Sequence, residues 1–168
     1  MNPNMRNEKL RGVFEMLGFE GVQTVISSGN VLFESPSRAV RSLETMIEEA
    51  IREQLGFTSA TIIRSHQRLS RLLAENPFGK TEDTPITRLQ VTFLKKKQRT
   101  DLKLPYRSRQ KGYSIISMNG NEIFSAVDLT GATTPDLMAR LEKEFGKEVT
   151  TRTWKTVDRI VKRMDQQT

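Results

Sequence analysis

Residues whose types and spacing suit chemistry fall in three places. Ser28, Gly29 and Asn30 lie in VQTVISSGNVLF, Val22–Phe33, where two β-branched stretches are joined by Ser-Ser-Gly-Asn. Free amides and hydroxyls at such a turn can hold an anion or a ligand oxygen. The same residues can simply close a hairpin, because Gly29-Asn30 tolerates the positive φ of tight turns. Thr151, Arg152 and Trp154 precede the last amphipathic stretch. A guanidinium beside a helix N-terminus suits an anion; the alternative is a core Trp154 with Arg152 paired to a carboxylate. The third place is the run KKKQRTDLKLPYRSRQK. Here Lys95, Lys96, Lys97, Arg99, Arg107 and Arg109 can contact phosphates while Tyr106 stacks a base, or the whole run can be a solubilising loop.

Other chemistries find no support. The chain has no cysteine and one histidine, which removes thiolate nucleophiles, disulfides and multi-histidine metal sites. His66 follows Ser65, a good helix N-cap, and reads as an exposed first-turn residue rather than a base. Glu142, Glu144, Glu148 and Asp158 have no spacing that sets a pair on one helix face. There is no phosphate loop, dinucleotide fingerprint or metal cluster. No metal and no cofactor is therefore expected, no catalytic residue emerges, and whether the chain is an enzyme stays open.

The charge is local. The formal +7 comes entirely from residues 95–111, with 8 basic residues against Asp101; residues 1–94 hold 11 of each sign and 112–168 hold 8 of each. No run approaches the ~20 apolar residues of a membrane helix, and MNPNMRNEKL lacks a signal-like segment, so a cytoplasmic protein without membrane contact is expected.

The elements that must position these residues follow from periodicity. Leu10, Val13, Phe14 and Leu17 make one helical stripe, with Asn4 as N-cap and Gly18 as stop. The hairpin follows, as strands Val22–Ile26 and Val31–Phe33. A long helix is capped by Ser35-Pro36 and stopped by Gly56. Thr58–Arg64 reads as a strand, Ser65–Glu75 as a helix, and Arg88–Leu94 as an alternating strand. Asn119-Gly120 joins Gly112–Met118 to Asn121–Val127, and helices begin at Thr134-Pro135 and Thr153. The order is αββαβαβ, then ββαα. At 168 residues this is one domain or two intimate subdomains. The expected division is 1–94, a basic linker loop 95–111, and 112–168.

LRGVFEMLGFEGVQTVISSGNVLFES, then ENPF, then VTTRTWKTVDRIVKRM together resemble the bacterial domain of unknown function 1697 family over nearly the whole chain. The resemblance implies an α+β protein of two subdomains, the first similar to a ferredoxin-like sheet, and no particular activity. Relatives open with a hydrophobic strand and a motif like Arg-Gly-Ile-Asn-Val-Gly before the first helix, and this chain opens at MNPNM. In a βαββαβ sheet that strand is central, and its neighbours' backbone groups need partners. Another segment, a second copy forming a homodimer, or a rearranged sheet is expected to supply them. Relatives more often carry Asn at Thr153; both residues cap helices. The matching polar positions are Ser28, Gly29, Asn30, Thr151, Arg152 and Trp154.

Three function classes remain: a module binding an anionic ligand, with nucleic acid or another polyanion as partner; a small-molecule binder or enzyme using the hairpin and the Arg152 region; and a protein-interaction module.

Overall fold

The computed structural model describes residues 6–26, 29–108, 110, 112–130 and 136–167. The fold is α+β, and the described residues form two compact units: those up to Ile63 with those from Lys162 onward, and Arg64–Val161. Each unit has its own core.

In the first unit, α1 (Asn7–Met16) and α2 (Val40–Leu55) pack against a two-stranded antiparallel sheet of β1 (Glu20–Thr24) and β2 (Val31–Glu34). The stripe read from the sequence is the buried one, since Leu10, Val13 and Phe14 of α1 meet Val22, Ile47 and Ile51. Phe14, Phe19 and Phe33 add tilted ring contacts at 4.5–6.0 Å. Gly29 has φ 74° at the turn and Gly56 has φ 73° after α2, both left-handed as expected.

The structure departs from expectation at three places here. Helix α2 begins at Val40 rather than Pro36, because the Ser35 and Ser37 hydroxyls accept from the amides of Ser37 and Ala39 and hold a turn there. Arg6 is the N-cap residue of α1, and Asn4 lies outside the described residues. Thr58–Arg64 is not a strand. Its Thr61 amide donates to Glu48 Oε1 at 2.8 Å and its Ile63 amide to Glu44 Oε2 at 3.0 Å. Residues i and i+4 of a helix rise ~6 Å, close to the ~6.7 Å between alternate amides of an extended chain. Two carboxylates of α2 thus match the repeat that a neighbouring strand would otherwise satisfy.

The second unit is built on a five-stranded antiparallel sheet, ordered β4-β5-β6-β3-β7. Its strands are β3 (Thr87–Leu94), β4 (Tyr106–Ser108), β5 (Tyr113–Met118), β6 (Glu122–Asp128) and β7 (Val149–Thr153). The helices are α3 (His66–Glu75), α4 (Leu137–Phe145) and the first turns of α5 (Trp154–Asp165). Leu94, Ile115, Ile123 and Val127 form a core with Leu137, Leu141 and Phe145 of α4. The Asn119-Gly120 hairpin and the Ser65 cap, which accepts from the Arg68 amide, are as expected.

Two corrections follow. The ββαα portion contains a further strand, β7, because the β-branched run Val149–Thr153 pairs with β3 before the helix begins. The basic run is not a linker loop: Leu102, Leu104 and Tyr106 alternate inward onto the core, and β4 forms the sheet edge. Since β3 pairs with β6 and β7, the units divide at Ile63/Arg64 rather than across 95–111.

Candidate functional site

The basic run folds into two parts of different character. At its start the backbone is tied down: the Lys95 amide donates to Glu148 O, the Gln98 amide to Gly120 O, and Gln98 Nε2 to Phe145 O. Lys95 Nζ stands 3.6 Å from Glu148 Oε2. Gly120 has φ 94°, and a Cβ there would stand 3.1 Å from Lys97 Cε, so the lysine side chain would have to shift slightly to admit one. Lys96 and Arg99 are exposed.

Further on, the run builds a groove. Its cavity of ≈ 640 Å³ lies between the β4 edge and α4, with Tyr106, Arg107 and Ser108 on one wall and Asp136, Arg140 and Lys143 on the other. The strand brings Tyr106 and Arg107 there because Tyr106 pairs with Ile115 and Arg107 with Ser114. On α4, Leu137 and Leu141 turn into the core, which sets Arg140 and Lys143, three residues apart, on a shared stripe away from it. Arg140 Cζ lies 5.1 Å from the Tyr106 ring centroid, and Arg140 Nη2 is 3.2 Å from Glu144 Oε1. Arg107 and Lys143 are exposed, and neither has an ion-pair partner among the described residues. Arg109 lies outside the described residues.

Arg140 and Lys143 were missed by sequence reading. Their i, i+3 spacing opposite an apolar stripe was a signal, but nothing local says which strand that stripe faces.

Thr151, Arg152 and Trp154 come together at the β7–α5 junction. Arg152 Nη1 donates to Thr150 Oγ1 at 2.6 Å and to Thr151 O at 2.9 Å. Burial pushes its guanidinium below the ordinary arginine value. Trp154 packs edge-on against Phe78 at 5.0 Å and Phe124 at 6.5 Å. The Thr156 amide donates to Thr153 Oγ1 at 3.2 Å, the expected cap. Gly29 and Asn30 belong to the other unit. There Asn30 Nδ2 donates to Val25 O and Asn7 Nδ2 to Ile26 O, while Ile26 holds φ 61°, strained for a β-branched residue. Ser28 lies outside the described residues.

A buried charge cluster, also missed, underlies the sheet. Glu122 is wholly buried; Arg68 grips it through Nε at 3.1 Å and Nη2 at 3.2 Å, and Arg64 Nε approaches at 3.3 Å. The hydrogen bond to Glu122 raises the pKa of Arg68 above its ordinary value. Arg64 also donates to Leu94 O and Asn121 O and lies over the Phe93 ring. A charged residue opening the mostly apolar EIFSAV run was the available signal.

Among the described residues, no group of three or more His, Asp or Glu can hold a metal ion, and no helix is long and apolar enough to cross a membrane. The family model described as a protein of unknown function (DUF1697) matches residues 2–124, a span that takes in the hairpin and the basic run and stops before α4. A solved structure titled as that of conserved bacterial protein SP0830 from Streptococcus pneumoniae is similar at a TM-score of 0.68 and 20% identity. That similarity covers 94% of this chain and 88% of the other, and shows the fold alone. A comparison with curated proteins found no match to the chain.

Proposed function

The chain belongs to the DUF1697 family of proteins of unknown function, and we propose that it is a binding module for an anionic partner. One observation carries this reading: the segment that holds the whole charge excess supplies Arg107 to a groove whose opposite wall adds Arg140 and Lys143. Cations lining a concavity draw counter-ions and polyanions with an attraction that salt screens. Asp136, and Glu144 through its pairing with Arg140, temper the charge without cancelling it. A salt-series titration with heparin tests the reading. Binding that weakens steadily with salt, and more so in Arg107→Gln and Lys143→Gln, supports it; no binding at about 50 mM salt, where screening is weakest, ends it.

A further inference from the structure

The shape of the groove narrows the anion, on the assumption that the anion-binding reading above holds. We infer that the groove takes single-stranded nucleic acid, with an unpaired base laid on the Arg140 guanidinium and the flanking phosphates on Arg107 and Lys143.

Three observations lead there. First, at ≈ 640 Å³ the concavity falls within the ~300–1,000 Å³ of cavities that enclose small organic groups. It can admit a nucleotide rather than merely lie beneath a charged rod. A duplex turns its bases inward and presents phosphates and groove edges, so a base can enter only from an unpaired strand.

Second, the Tyr106 ring is already covered. Arg140 lies over it, and the ring packs against the core beside Tyr113, with centroids 6.3 Å apart. The surface left for a base is the guanidinium, which stacks on bases much as an aromatic ring does. Tyr106 beneath it and Glu144 beside it restrict its motion before any ligand arrives, which lowers the ordering cost on binding.

Third, Arg107 and Lys143 stand on opposite walls, so phosphates on either side of one seated nucleotide each meet a cation. Neither cation would have to leave an ion pair among the described residues to do so.

The test uses the full chain and three probes: a fluorescein-labelled oligothymidylate of about 12 nucleotides, a duplex of the same length, and heparin, each titrated by anisotropy over a salt series. The single strand should bind at least about fivefold more tightly than the duplex, as expected when stacking adds to phosphate contacts. Arg107→Gln with Lys143→Gln should lower the single-strand salt slope by about 1.4, two contacts at about 0.7 each. Arg140→Lys keeps the charge and removes the plane. It should weaken oligothymidylate at least about fivefold, and by a larger factor than it weakens heparin. Thermal melting confirms that each variant is folded; Arg107 and Lys143 are exposed, so their variants remain informative even if Arg140→Lys is destabilised. If duplex and single strand bind equally and Arg140→Lys changes neither, the single-strand inference fails and the anion-binding reading stands. If none of the three probes binds at about 50 mM salt, both fall.

Discussion

Replacing Glu122 with Gln should be the most damaging isosteric change in the second unit. The carboxylate is fully buried and receives three hydrogen bonds, one from Arg64 and two from Arg68. Gln keeps one acceptor oxygen, loses the charge, and leaves two guanidiniums facing an amide. Breaking a buried ion pair by altering one partner costs about 3–5 kcal/mol. The arginine side chains are 16% and 29% exposed, so water relieves part of that loss, and the expected cost lies near the lower bound, ~3 kcal/mol. With a urea dependence of ~2 kcal/mol per molar, the unfolding midpoint should fall by ~1.5 M. Trp154 is the sole tryptophan and packs in the aromatic cluster of this unit, so its fluorescence follows the relevant transition. Arg68→Met alone should cost less, because Arg64 still faces the carboxylate. The double variant should lose less than the two single losses added, with a coupling of roughly 1–2 kcal/mol. A Glu122→Gln midpoint within about 0.3 M of the parent, at unchanged slope, would falsify the view that this cluster anchors the sheet.

Four other outcomes are expected. Gly29→Val should destabilise the first unit by about 1–2 kcal/mol through left-handed strain at φ 74°; an unchanged denaturation midpoint contradicts this. Glu48→Ala should cost about 1 kcal/mol by orphaning the Thr61 amide, and amide hydrogen exchange at Thr61 should accelerate. Lys95→Gln should alter polyanion affinity less than Arg107→Gln, because Lys95 is held by Glu148; equal losses in titration would contradict the groove as the binding surface. Asp128 has its pKa lowered by the Thr130 hydroxyl and then by the Thr130 amide. A depressed carboxylate contributes stability above its unfolded pKa and loses it as pH falls through the folded value. Thr130→Ala should therefore move the Asp128 titration upward, toward the ordinary carboxylate range, as read by NMR.

How much was legible depended on the range of the forces involved. The helical stripe Leu10, Val13 and Phe14, the Gly29 and Asn119-Gly120 turns, the Ser65 cap and the existence of strand β3 are local. Each rests on propensities and periodicities spanning a few residues, and each is present in the structure. The family resemblance was legible for a similar reason, since it rests on ordered short motifs. Thr58–Arg64 shows where local reading ended: its β-branched residues favour an extended chain, but a strand also needs a ladder. Its amides at Thr61 and Ile63 met the carboxylates of α2 instead. In the basic run, composition hid a weak period-two pattern, Leu102, Leu104 and Tyr106, which mattered only once a core existed to receive it.

The candidate site divides in the same way. The amino-acid sequence by itself determined that the charge excess is confined to residues 95–111 and that Tyr106 and Arg107 lie within it. Only the tertiary structure decided which of those cations face a groove, that Lys95 is paired with Glu148, and that Arg140 lies over the ring of Tyr106 from a helix 34 positions further along. Charge is a sum over residues and needs no geometry. A site is a juxtaposition, set by which side chains the sheet and helix must bury and which they therefore leave facing one another.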